Sequence, residues 1–173
     1  MSATAMLVIS NIIGTIALIL WTSSVQVNKK STLIRLQLLA NIFYAIQYFL
    51  IGANTAAWMN IVSTIRYYMY NKNEEKNKQN SYSLLFVFIG IILIISILTY
   101  TNILSLIPSI ITIGYTYATW QKNTKVIRFI FLFAAVIWIF YNAYVGAYVS
   151  IIGNVMELLS GFIAIYRFDA IKK

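Results

Sequence analysis

Apolar runs of near-membrane length, separated by short polar breaks, follow one another along almost the whole chain. A helix needs about 20 consecutive apolar residues to cross the hydrocarbon core. The runs read as seven such spans: about Ala5 to Val25, Leu33 to Ile51, from the Gly52–Thr55 turn to Tyr70, Ser83 to Tyr100, Ile103 to Trp120, Val126 to Val145, and Ala147 to Tyr166. Between spans three and four, Asn71 to Asn80 mixes lysines with Glu74 and Glu75 and has no apolar period, so it reads as a solvated loop. Span four is nearly continuous Leu, Ile, Phe and Val, broken by Gly90 and Ser96. With no polar face it reads as a lipid-contacting connector. Span five holds the sole proline, Pro108, which together with Gly114 suggests a kinked, hinge-like helix.

Polar positions inside the spans are few. Glu157 is the acidic side chain placed well within an apolar run, and an ionisable group at that depth is a functional candidate by default. Asn154 precedes it by one turn, and Gly146, Ser150, Gly153, Ser160 and Gly161 complete a small, polar stripe that faces other helices. Span three carries a matching stripe of Asn60, Ser63 and Arg66 or Tyr67. The plainer alternatives stay open. In these, Gly and Ser let helices pack closely, Asn joins helices by hydrogen bonds, Glu157 is a locally paired structural carboxyl, and Arg66 near a helix end snorkels to the interface.

Composition sharpens this picture. Of 173 residues 61% are hydrophobic and only 10% charged, with a mean hydropathy of +0.79, which cannot clothe a soluble domain. Cys and His are both absent, so thiol catalysis, disulfides and the usual zinc sites are excluded, and no close pair of acids suggests an enzyme, a metal site or a cofactor. The net charge of +9 is explained by position. Lys29, Lys30 and Arg35, then Arg66, Lys72, Lys76 and Lys78, then Lys122, Lys125 and Arg128, then Arg167, Lys172 and Lys173 mark alternate connections and the tail, while the connections near Ala53, Thr101 and Gly146 carry none. That is the positive-inside pattern of a multi-pass protein with its amino end outside and its carboxyl end in the cytoplasm. Lipid, not nucleic acid, is the expected partner. With no cationic stretch before it and no small-residue cleavage site after it, the first span is expected to be structure rather than a signal peptide.

The chain also repeats itself. Lys29 aligns with Lys122, Ser31 with Thr124, and Ile34-Arg35 with Ile127-Arg128; one residue of slippage then brings Gly52 onto Gly146, Ala53 onto Ala147, and Asn60 onto Asn154. Spans one to three thus match spans five to seven in the same orientation. The expected fold is all-α, a seven-span membrane protein of two parallel three-helix bundles joined by a linker helix: residues 1–71, a cytoplasmic loop and linker over 72–101, and residues 102–173 with a short tail.

Three helices, a linker and three more, the Leu106-Ile107-Pro108-Ser109 run, and an asparagine in the third helix of each repeat resemble the SWEET, PQ-loop and SemiSWEET group of small-solute transporters. Leu36-Gln37-Leu38-Leu39-Ala40-Asn41, Trp138-Ile139-Phe140-Tyr141-Asn142 with Val145-Gly146, and Ile165-Tyr166-Arg167 are similar to the bacterial YgjV-type inner membrane proteins. The resemblance implies location in the bacterial inner membrane and a transport role. It places Asn60 and Asn154 on the solute, and Trp138 and Asn142 resemble the spacing in related carriers of nicotinamide riboside. Gly14-Thr15 stands where the first repeat would carry its proline, and Ser63 aligns with Glu157, so the two halves are chemically unequal.

Two amides and an indole suit a neutral sugar, polyol or nucleoside. Solute contact is therefore expected from Asn60, Asn154, Trp138, Asn142 and Ser63, and coupling or gating from Glu157, Arg66 and Pro108. Trp138 packed simply between helices is the competing reading. Glu157 is expected to exchange a proton between the two sides or to pair with Arg66. A receptor or assembly subunit of the same fold, with or without self-association, is the alternative function.

Overall fold

The computed structural model describes residues 3–25, 30–76, 80–121 and 123–166. Lys29, Lys78, Lys122, Arg167, Lys172 and Lys173 of the cationic pattern lie outside the described residues. Within them the chain forms seven α-helices and no strand: α1 (Ala3–Val25), α2 (Lys30–Leu50), α3 (Asn54–Glu75), α4 (Tyr82–Leu98), α5 (Ile107–Trp120), α6 (Thr124–Val145) and α7 (Tyr148–Ile165), with a one-turn 3-10 helix at Ile103–Leu106.

Two boundaries differ from the sequence reading. Helix α3 does not stop near Tyr70 but runs on to Glu75, taking in half of the segment expected as a loop. A helix already nucleated in an apolar span propagates readily through Lys and Glu, and the Lys72 ammonium lies over the Tyr68 ring one turn back, 5.9 Å from its centroid. Pro108 is not an internal kink. It occupies the first turn of α5, directly after the 3-10 turn, where a missing N–H breaks no intrahelical bond. The 3-10 turn has its own cap, in which Asn102 Oδ1 accepts from the N–H groups of Leu104 and Ser105.

Outward faces are apolar, and several polar side chains are buried inside. Ile12, Ile16 and Ile19 of α1, Phe86, Leu93, Ile94 and Ile97 of α4, Phe129, Phe133 and Phe140 of α6, and Leu159, Phe162 and Ile163 of α7 are exposed. Gln47, Arg66, Thr112, Thr116, Asn142 and Ser150 are buried. An apolar exterior of this extent suits a lipid surround. Among the described residues three helical segments are long and apolar enough to cross a membrane, Thr4–Ser23, Ile103–Trp120 and Lys125–Val145; Tyr82–Leu98 and Tyr148–Ile163 are apolar but shorter. Helices α2 and α3 have the length, and their polar residues lower their hydropathy.

Helix α1 packs on α2 and α2 on α3; in the second half α5 packs on α6 and α6 on α7. Contacts between α3 and α5 and between α1 and α7 close the circuit, and exchanging the halves maps one of these seams onto the other. Helix α4 covers the α3–α5 seam, burying Leu85, Phe88, Ile92 and Ser96.

The turns that follow α2 and α6 repeat each other in detail. Gly52 and Gly146 both adopt a left-handed conformation, with φ of 73° and 80°, which residues with a Cβ rarely adopt. The next N–H in each case, of Ala53 and of Ala147, reaches back to the carbonyls of Tyr48 and Asn142 at 2.9 Å. Because α3 starts at Asn54 and α7 at Tyr148, Asn60 and Asn154 are each the seventh residue of their helix.

Candidate functional site

Between the two halves lies a cavity of about 120 Å³ whose wall includes Asn60, Ser63, Arg66 and Tyr67 of α3 and Ser150, Gly153, Asn154 and Glu157 of α7. Tyr44 and Tyr48 of α2, Thr112 and Tyr115 of α5, and Trp138 of α6 complete most of the remaining wall. The polar stripes of α3 and α7 therefore meet at one space. Helical spacing explains this: Asn60, Ser63 and Arg66 or Tyr67 recur every three or four residues, as do Ser150, Asn154 and Glu157.

The two asparagines present different ends. Asn60 Nδ2 donates to the Ala56 carbonyl of its own helix at 2.9 Å, which leaves its oxygen as an acceptor. Asn154 Oδ1 accepts from Asn142 Nδ2 at 2.8 Å, and the Asn154 side chain also hydrogen-bonds to Glu157. Asn142 is only 1% exposed and does not line the cavity. Its oxygen in turn accepts from the Tyr48 hydroxyl at 2.7 Å, so it orients Asn154 from behind. Trp138 does reach the wall and stacks on Tyr48, with centroids 6.0 Å apart and planes at 25°. Pro108 lies apart from the wall, buried at the start of α5.

Arg66 neither snorkels nor joins Glu157. Its side chain is 1% exposed, and Nη1 donates to the Thr112 carbonyl at 3.2 Å and to Thr116 Oγ1 at 2.6 Å. The guanidinium carbon lies 5.3 Å from the centroid of the Tyr67 ring, an attractive placement for a cation. Nε is buried and has no hydrogen-bond partner. Taking a charge out of water costs on the order of several kcal/mol without a counter-ion, and among the described residues no carboxylate forms an ion pair with this one. Pairing with Glu157 was an expectation that the geometry does not bear out, although both residues border the same space.

Sequence reasoning did not single out Thr112 and Thr116, which stand one turn apart on α5 and hold the guanidinium, or Gln47. Gln47 Oε1 accepts from Ser150 Oγ at 3.0 Å, tying α2 to α7. It fits because Gly14 faces it: a Cβ there would stand 2.5 Å from Gln47 Nε2. Tyr48 was legible in principle, since it precedes Asn142 by the 94 residues that relate Asn60 to Asn154.

Two further hollows flank the cavity. One of about 430 Å³ shares Trp21, Phe131, Gly153 and Glu157 with it and reaches Arg128, Ser160 and Gly161. The other, about 390 Å³, gathers Gly52, Asn54, Thr55, Thr99, Asn102, Tyr141 and Tyr144 at the end where the Gly52 and Gly146 turns lie, and shares no residue with the cavity. Tyr48, Trp138 and Tyr141 belong to one buried cluster with Ala53, Ala56, Ala57 and Ala147, and Trp138 meets Tyr141 edge to face at 5.5 Å.

A family model described as bacterial inner membrane protein, Imp-YgjV, matches residues 8–172, nearly the full chain. The chain belongs to the Imp-YgjV family. Its apolar outer faces agree with the inner-membrane setting that the family description gives. No curated protein and no solved structure matches it. Among the described residues of this Imp-YgjV member no cluster of acidic side chains is arranged to hold a metal ion.

Proposed function

We propose that this Imp-YgjV protein is a membrane transporter that moves a small polar solute of no net charge by alternating access between two pseudo-symmetric halves. The observation that carries this reading is the cavity between α3 and α7, bordered by Asn60, Ser63, Asn154, Glu157, Arg66 and Trp138. A protein whose helices needed only to pack would fill this space with side chains. Matching turns at Gly52 and Gly146 and the interchangeable seams support the three-plus-one-plus-three plan and its likeness to the SWEET and PQ-loop group, with α4 as linker. All seven helices then span the bilayer. Helices α2 and α3 do so despite modest hydropathy, because their polar residues turn toward the interior.

In this reading the described conformation is shut toward the Gly52 and Gly146 end by the Tyr48, Trp138 and Tyr141 cluster, and adjoins the hollow at the Arg128 end. The cationic pattern puts that second end in the cytoplasm. Rocking of the halves about the α3–α5 and α1–α7 seams would exchange the two openings, with the joint between the 3-10 turn and Pro108 as a place to bend.

Uptake into proteoliposomes carrying the purified chain tests this, with a screen of labelled sugars, polyols, nucleosides and amino acids and with Asn154→Ala as comparison. Saturable uptake that falls in the variant is the expected result. Absence of uptake for every solute, in a preparation that stays folded, overturns the transport reading in favour of a receptor or assembly role.

A further inference from the structure

We propose that the cavity binds a small zwitterion, a molecule of amino-acid size with one carboxylate and one ammonium, the carboxylate on Arg66 and the ammonium on Glu157. This names the substrate class of the site just described and rests on the transport reading only for movement across the membrane, not for binding.

The case starts with the guanidinium. Nη1 donates to Thr112 and Thr116, while Nε is buried and has no hydrogen-bond partner among the described residues; Nε and Nη2 together form the remaining edge. That edge presents two parallel N–H groups, the fork that a carboxylate engages with both oxygens. Thr112 and Thr116 fix the side chain from the opposite edge, so little ordering remains to be done when an anion arrives.

Glu157 supplies the other charge. It borders the same cavity, yet no ion pair links it to Arg66. Opposite charges held apart across a polar space in a low-dielectric surround are complementary to a solute carrying the reverse pair. A polyol would leave both unpaired, a monocarboxylate would leave Glu157, and an amine would leave Arg66. The oxygen of Asn60 accepts from the ammonium or from a hydroxyl, and Asn154, hydrogen-bonded to Glu157, holds that carboxyl in place.

Size agrees. At roughly 10–15 Å³ for each water-sized group, a cavity of about 120 Å³ holds a solute of amino-acid dimensions more readily than a nucleoside. Trp138 and Tyr48 offer an apolar wall for its side chain.

The test uses the full chain in lipid nanodiscs, with thermal shift and titration calorimetry as readouts. Probes are glycine, L-alanine, L-serine and L-proline, then L-alanine methyl ester without the carboxylate, propionate without the ammonium, and uncharged erythritol. At least one zwitterion is expected to stabilise the protein, and L-alanine to bind about tenfold or more tightly than its ester or propionate, as loss of a charge-assisted contact implies. Arg66→Lys keeps the charge but not the fork and lowers zwitterion affinity by a similar factor. Should that variant fail to fold, Glu157→Gln decides: the ratio of L-alanine to propionate affinity falls toward one. Tighter binding of erythritol, propionate or the ester than of every zwitterion, or an unaltered ratio in Glu157→Gln, overturns the zwitterion assignment while leaving transport of another solute standing. Silence from all probes overturns it as well, and the transport reading falls with it only if the wider uptake screen is also silent.

Discussion

The hydroxyl of Tyr48 donates to Oδ1 of Asn142 at 2.7 Å, and these two residues stand 94 positions apart. The same interval separates Gly52 from Gly146 and Asn60 from Asn154. Asn142 passes the constraint on to Asn154 at the cavity wall.

Tyr48→Phe removes the donor and leaves a buried amide oxygen unsatisfied. An unfilled buried acceptor costs about 1–3 kcal/mol, so a lower melting temperature in detergent is expected, together with weaker solute binding through a loosened Asn154. Thermal denaturation followed by tryptophan fluorescence measures the first effect. A variant as stable as the parent would show that Asn142 finds another partner.

Gly14→Ala places a methyl group where Gln47 Nε2 now stands, 2.5 Å from the new carbon. Displacing Gln47 breaks its bond to Ser150, and overpacking of this kind costs about 1–3 kcal/mol. Trimming the obstacle in Gly14→Ala/Gln47→Ala should recover part of that loss. A double-mutant cycle reads the coupling directly, and strict additivity would separate the two residues.

Thr116→Val takes the 2.6 Å hydroxyl partner from the buried guanidinium while keeping the shape of the side chain. Hydrogen bonds to charged groups contribute about 1.5–3 kcal/mol. Reduced stability is expected, and a drop in solute affinity larger than that of Thr119→Val, whose residue bonds only its own helix. Equal effects in the two variants would demote Arg66 from the site.

Glu157→Gln removes the acidic group from the cavity wall without changing its size. Uptake by wild-type proteoliposomes, compared at several imposed pH gradients, is expected to respond to the gradient and uptake by the variant is not. A response that survives the substitution locates proton coupling elsewhere.

Helix number, order and class were readable in advance because lipid imposes a length and a hydropathy on whatever crosses it. The matching turns were readable too, in Gly52 with Gly146, which both adopt the left-handed conformation, and in Asn60 with Asn154, each the seventh residue of its helix. The extension of α3 to Glu75 was less so, because a charged segment beyond the membrane reads alike as helix or loop until its neighbours are known.

Sequence by itself determined that this is an all-helical membrane chain in which Glu157, Arg66 and two asparagines stand at helical spacing within or at the ends of apolar runs. Which of these polar groups pair, and which are left to face one another across a gap, was decided only by the tertiary structure. Helical periodicity assigns a residue to a face, but a hydrogen bond requires two faces brought within about 3 Å, and that distance is set by how α2, α3, α5, α6 and α7 pack.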